Sequence, residues 1–223
     1  MDPINLIDAS INRELQMLST VSQNIANVNT PGYQSVQTFN QVLESGTVET
    51  VTHIAPSKSA INDTNRPLDV AIVGEGYFIV ELNNEFFLTK NGRFHVGPDG
   101  YLTHSSGAKL VGENGKIDTY GEVPSINTNG DVSVNGSKIA QLALVKTDNL
   151  ARTEVASLYR ASSAVTAIEV RTVKPSALNA SSVVSSDEMT QMMSINRNIQ
   201  SLQKVVHAYD QMLNSGINEM GRK

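Results

Sequence analysis

The chain has 223 residues, a formal net charge of −5, four histidines and no cysteine. A mildly acidic chain without a basic run is a poor candidate for sequence-blind nucleic-acid binding, which rests on neutralising phosphates. The lack of thiols excludes disulfides, thiolate zinc sites and cysteine catalysis, and aromatics at only 5% predict that part of the chain lies outside any compact core.

Residues 1–33 read as a helix and a turn. Ile4, Ile7, Ile11, Leu18, Val21, Ile25 and Val28 follow a heptad pattern in which Glu14 fills one apolar position with a charge. Asp2 is placed to cap the helix and Pro3 suits its first turn. The helix is expected to stop near Asn29, because Thr30-Pro31-Gly32 offers Pro and then Gly to the centre of a turn. Residues 34–66 show no clear period, and their Ser, Thr, Asn and Pro content predicts an extended arm.

Residues 67–176 read as an antiparallel β domain. Asn91-Gly92, Asp99-Gly100, Asn114-Gly115, Asn129-Gly130 and Asn135-Gly136 each permit a tight turn. Apolar or alternating runs lie around them: Leu68 to Val73, Tyr77 to Leu82, Phe86 to Thr89 and Ile139 to Val145. The aromatics gather between Tyr77 and Tyr101, which marks the densest core. A weak alternation from Ala164 to Val173 adds one more strand, and residues 177–186 read as a linker.

Residues 187–223 read as a second helix. Met192, Ile195, Ile199, Leu202, Val206, Tyr209 and Leu213 alternate in steps of three and four, a stricter seam than the first. Ser185 followed by Glu188 resembles a capping box. Long helices with narrow apolar seams require partners. The two are expected to pack against copies of the same or related chains in preference to each other, because two helices alone make a thin core. The class is α+β, with terminal heptad helices flanking a mainly antiparallel β domain.

Motifs that carry chemistry are incomplete. Gly74-Glu75-Gly76 lacks the third glycine of a dinucleotide loop, and Ile117 replaces the hydroxyl residue after Gly115-Lys116 that a phosphate loop needs. Asn127 to Asp131 lacks the distant carboxylate of a calcium loop. His53, His95, His104 and His207 have no metal-ligand spacing. Ser105-Ser106-Gly107 is not a nucleophile elbow. No catalytic, cofactor or metal residue is assigned. No stretch is apolar enough to span a bilayer, neither helix has a basic membrane-facing side, and no cleaved secretory signal is evident.

Asn27, Asn29, Thr30, Pro31, Gly32 and Tyr33, at the end of the first helix, resemble the signature of bacterial flagellar basal-body rod and hook proteins. Asn65 to Phe78 resembles the entry to their β domain. Thr89-Lys90-Asn91-Gly92-Arg93-Phe94 with Asp99-Gly100-Tyr101-Leu102 resembles the hairpin that follows, although Lys90 and Leu88 stand where Arg and an aromatic are common. The likeness spans the chain and is greatest to the single-β-domain members of the proximal rod, with the distal-rod members next. It implies a structural, non-enzymatic subunit of the hollow drive shaft that crosses the periplasm and carries torque from motor to hook. The implied partners are copies of itself, other rod proteins and, during secretion, the flagellar type III export apparatus; nucleic acid, small-molecule substrate, cofactor and membrane insertion are not among them. The implied mechanism places both terminal helices in an inner coiled-coil layer, largely unfolded before assembly, with the Pro31-Gly32 turn redirecting the chain outward. Two other classes compete: a secreted glycan binder with Tyr77, Phe86 and Tyr101 as an aromatic platform, and a hydrolase using Asp69 or Asp99.

Overall fold

A computed structural model describes residues 3–42, 48–54, 59–169 and 172–220. In chain order its elements are α1 (Pro3–Ala26), β1 (Val36–Val42), β2 (Val48–Ile54), β3 (Ile61–Asp63), β4 (Val70–Ile72), β5 (Tyr77–Leu82), β6 (Glu85–Thr89), β7 (Phe94–Val96), β8 (Leu102–His104), β9 (Lys109–Gly112) and β10 (Gly115–Lys116). They continue with β11 (Ser125–Ile126), β12 (Asp131–Val134), β13 (Ser137–Gln141), β14 (Leu144–Lys146), β15 (Leu150–Arg152), β16 (Tyr159–Ala161), β17 (Thr166–Ala167), β18 (Val173–Pro175), β19 (Ala177–Asn179) and α2 (Ser185–Met220). The chain forms two compact units. One comprises Met1–Ala26, Thr38–Val51 and Val184–Lys223; the other comprises Asn27–Gln37 and Thr52–Val183.

The second unit is built on one antiparallel sheet with the strand order β15-β16-β6-β5-β9-β8-β7. One edge of β5 serves two neighbours in turn: Tyr77 and Phe78 pair with β14, and Ile79 to Glu81 pair with β9. The other edge pairs with β6 from Phe78↔Thr89 to Leu82↔Glu85. Asn83 and Asn84, at φ 52° and 65°, close that hairpin as a two-residue turn, because asparagine tolerates the left-handed region that such a turn demands. Alternation along β5 sends Phe78 and Val80 to one face, where they pack with Phe94, Leu102, Leu110, Leu142 and Leu158. Phe94 meets Phe78 edge to face at 5.4 Å. On the other face Tyr77 and Leu88 join Val36, Ile54, Val145 and Tyr159.

Four expectations change. Asn91-Gly92 is not a tight turn, for neither residue has positive φ. A Cβ on Gly92 would lie 1.7 Å from the Val70 carbonyl oxygen, so this glycine permits two backbones to touch. The run from Ile139 to Val145 is split between β13 and β14, because Leu142 turns into the core. Residues 34–66 hold β1 and β2, paired as a two-stranded sheet, and β3, paired with β19. The stretch 177–186 is not a plain linker: Ala177 and Leu178 are buried in β19, and Ala177 pairs with Asp63.

Candidate functional site

The first unit is dominated by the terminal helices. Asn24 on α1 donates from Nδ2 to Glu188 Oε1 on α2 at 2.9 Å, and Asn198 on α2 donates to Glu14 Oε1 on α1 at 3.3 Å. These pairs run in opposite directions along the two helices, so α1 and α2 are antiparallel. The seams meet within the chain, whereas the sequence alone favoured pairing with other copies. Glu188 bonds across to Asn24 and not back to its own helix start, where the backbone N–H groups of Asp187 and Glu188 find the Val184 carbonyl. The capping box therefore does not form. The Asp2 cap lies outside the described residues.

Burial along the seams is graded. Val21 and Ile195 are almost sealed. Ile7, Ile11, Leu18, Ile25, Val28, Met192, Ile199, Leu202, Val206 and Tyr209 are half-buried. Toward the free ends the cover fails, with Ile4 at 38% and Leu213 at 42% exposed. Glu14 and Glu188 each keep one oxygen, Oε2, buried without a hydrogen-bond partner. Burial raises the Glu188 carboxyl above its ordinary value, against the Asn24 hydrogen bond, which lowers it; Asp187 adds a smaller push upward.

The segment around the Asn-Thr-Pro-Gly turn is held by the β unit. Thr30 N–H donates to the Asn27 carbonyl and Tyr33 N–H to the Thr30 carbonyl. Pro31 and Gly32 occupy the central positions of the second turn, with Gly32 at φ 66°, the geometry of a type II turn. A Cβ on Gly32 would come within 2.3 Å of the backbone of Lys90 and Asn91. Two of the stretches that resemble flagellar signatures, around Gly32 and around Lys90-Asn91, thus lie against each other. Gly32 N–H donates to the Asn179 carbonyl, Gln34 N–H to the Tyr159 hydroxyl at 2.8 Å, and Ser182 N–H to the Tyr33 carbonyl. Asn27 and Thr30 are half-buried, Asn29 is exposed and Tyr33 is sealed. Thr30 Oγ1 donates to Asn27 Oδ1 at 3.0 Å.

The burial and contacts of two residues of this cluster were not anticipated from the sequence. Asn179, read as linker, is buried; its side chain accepts from Ile72 N–H and donates to the Ile72 carbonyl, standing in for a missing strand. Lys90 is 2% exposed, with its ammonium 6.0 Å from the centre of the Tyr77 ring. Burial lowers its pKa, partly offset by the Glu75 charge. The Tyr77 hydroxyl is pushed up to about 12, mainly by burial and also by Glu75.

The competing chemistries do not assemble. Tyr77 is buried, Phe86 is exposed, and Tyr101 is half-buried beneath the Lys109 ammonium at 4.4 Å, so the three make no platform. Asp69 is sealed between Arg66 and Arg93, at 3.9 and 4.0 Å. Asp99 pairs with Lys109, whose hydrogen bond holds its carboxyl below the ordinary range. His104 is buried and accepts the Ser106 N–H at Nδ1, which favours the neutral ring; burial and, less so, the His95 charge bring its pKa down to about 4. Among the described residues no cluster of acidic or imidazole groups is fit to hold a metal ion, and no helix is long and apolar enough to cross a membrane.

Three family profiles match in chain order: "Flagella basal body rod protein" over residues 11–34, "Flagellar hook protein FlgE/F/G D1 domain" over 71–134 and "Flagellar basal body rod FlgEFG protein C-terminal" over 174–220. The flagellar basal-body rod protein FlgG of Bacillus subtilis is 28% identical over 90% of this chain and 92% of its own. The rod protein FlgF of Caulobacter vibrioides is 25% identical over 98% of both. The hook protein FlgE of Rhizobium meliloti is 36% identical, but over 47% of this chain and 28% of its own.

Proposed function

We propose a particular place for this chain within the family to which it belongs, the flagellar basal-body rod proteins, whose members are structural subunits of the rod. It is a proximal-rod subunit, lying in the periplasm after export by the flagellar type III apparatus without a cleaved signal, and it carries torque rather than catalysing a reaction. It assembles with copies of itself and with other rod and hook proteins. The observation that carries this reading is the graded seam of the helical pair: Val21 and Ile195 are sealed, while Ile4 and Leu213 near the free ends stay exposed. Apolar surface left open on a lone chain is covered when neighbours arrive, and the burial, worth roughly 25 cal/mol per Å², offsets the ordering of the ends.

Among the described residues a single β unit lies between the helices in sequence, which supports the proximal assignment. The Pro31-Gly32 turn, in this reading, aims the chain from the inner helix toward the outer layer. Cryo-electron microscopy of basal bodies carrying an epitope-tagged chain tests the position. Tag density at the motor-facing end of the rod is expected. Density confined to the hook-facing end would make it a distal-rod subunit.

A further inference from the structure

The β unit completes its core within one chain, yet one of its turns is strained without serving that core. Tyr120 and Gly121 lie at φ 54° and 79°, and Glu122 N–H donates to the Thr119 carbonyl at 3.0 Å. This is a type I′ turn, whose first central position favours Asn, Asp or Gly. A tyrosine there crowds its Cβ against the following carbonyl. The turn is pinned all the same. Thr119 N–H and Oγ1 both donate to the Gly100 carbonyl at 2.8 Å, and Tyr120 N–H donates to Asp118 Oδ1 at 2.8 Å. The ring gains no packing in return, for Tyr120 is 79% exposed and Val123, just beyond it, 71%. Among the described residues neither Asp118 nor Glu122 has a cation partner. The lysines nearest in sequence are committed to other acids: Lys109 to Asp99, Lys116 to Glu81 and Lys138 to Asp131. Glu122 accepts only from the neutral amide of Asn135. The turn is thus an aromatic knob flanked by two uncompensated carboxylates.

The same unit carries the complementary feature. Arg66 and Arg93 converge on the sealed Asp69, each through Nε, at 3.9 and 4.0 Å. Arg66 opens a turn that Asp69 closes, and Arg93 lies across a backbone bridge from Asp69. Both arginine side chains stay about half exposed, and among the described residues no hydrogen bond engages their terminal amino groups. Those groups suit a carboxylate or the face of an aromatic ring. Two guanidinium groups against one carboxylate leave a positive charge in excess. Asp63, three residues before Arg66, does not cancel it, because Lys174 pairs with Asp63.

Fork and knob sit at the two ends of the β7–β8 hairpin. Arg93 immediately precedes β7, whereas Gly100, which pins the knob, lies in the turn that joins β7 to β8. The four residues from Arg93 to Gly97 span roughly 13 Å at about 3.3 Å per residue. We infer that the Tyr120 turn of one copy of this chain seats in the Arg66–Arg93 fork of the next. Charge complementarity selects this occupant, and a Tyr anchor facing Arg is the pairing that concentrates binding energy at interfaces. The contact is heterologous, so it propagates into an open helical array instead of closing into a dimer. This inference rests on the rod-subunit reading.

The chain has no cysteine, so single cysteines report the contact cleanly. Basal bodies are isolated from flagellated cells that express a Val123→Cys chain together with a Pro67→Cys chain, and mixed disulfides are read on non-reducing gels. The expected result is a dimer joining the two variants, absent when either is expressed alone. Tyr120→Asn relaxes the turn, so the purified chain should unfold at an equal or higher denaturant midpoint while its incorporation falls at least about tenfold. Normal incorporation of this variant would overturn the contact, and a lowered midpoint would make Tyr120 a structural residue and overturn it too. Glu122→Arg should also lower incorporation, and adding Arg66→Glu to the same chain should restore it. Basal bodies that contain the unaltered chain but give neither the mixed disulfide nor the rescue would overturn the contact between copies and leave the rod reading intact. Basal bodies that lack even the unaltered chain would overturn the rod reading, and the inference with it.

Discussion

In the β unit, Val70, Phe78, Phe94, Leu102 and Leu110 are sealed from solvent, whereas along the seams of the helical pair only Val21 and Ile195 approach that state. The β unit places apolar residues from many strands around one centre and finishes its core within a single chain. The helical pair has one stripe against one stripe and cannot enclose either. Its polar contacts are also half-made, with Glu14 Oε2 and Glu188 Oε2 lacking partners. One unit is therefore built to stand alone, and the other is built to be covered.

The largest effect is expected where the β unit has no slack. Gly32→Val adds a branched side chain at φ 66° with backbone 2.3 Å away. It should destabilise that unit by about 4 kcal/mol or more, read as the loss of its cooperative step in denaturant unfolding. A normal transition in this variant would mean that the turn is not wedged against Lys90 and Asn91.

Acid is the next lever on the same unit. His104 has a folded pKa of about 4 against an ordinary 6.5. The unfolded chain takes up the proton first as pH falls from 6.5, so stability present above that value is lost progressively until about pH 4. The loss is about 3 kcal/mol for this residue. His104→Gln should flatten that part of the stability–pH curve.

Effects in the helical pair should be smaller. Ile195→Ala removes a sealed seam residue and is expected to cost about 2 kcal/mol, the low end for a buried aliphatic. Met193→Ala, on an exposed position of the same helix, should change stability by less than about 0.5 kcal/mol. Equal costs would mean that α2 presents a different face to α1. Glu188 gives the helical pair a pH dependence of the opposite sign. Its carboxyl is raised by burial, so its protonated form favours the folded pair. That contribution is fully present below the ordinary carboxylate range and is lost as pH rises through the raised value. Glu188→Gln should abolish this dependence in helix content measured by circular dichroism.

Much of this architecture was legible in the sequence because it rests on local period. The two seams announce themselves by steps of three and four, and β5 by the apolar run from Tyr77 to Val80. What the sequence hid depends on contacts between distant residues. Asn179 looked like linker because its role, bridging the backbone of Ile72, has no local signature. Asn91-Gly92 looked like a turn because the need for a bare Cα beside Val70 mimics the need for positive φ. The Asn83-Asn84 turn was missed for the converse reason: two asparagines reach the left-handed region without glycine. Glu188 read as a cap because Ser185 stands three residues before it, yet Asn24 offers it a buried amide. The partner of each helix could not be chosen from sequence, since a heptad seam fits its own chain and a neighbour equally well.

Hydrogen–deuterium exchange of the purified monomer, read peptide by peptide by mass spectrometry, tests most directly whether one unit is self-sufficient and the other is not. Peptides from β5, β6, β8 and β9 should stay protected long after those from both α1 and α2 have exchanged, with protection in the helices falling from Val21 and Ile195 toward Ile4 and Leu213. Helices as protected as the sheet would contradict this: the pair would then be complete in one chain, with nothing left for neighbours to cover.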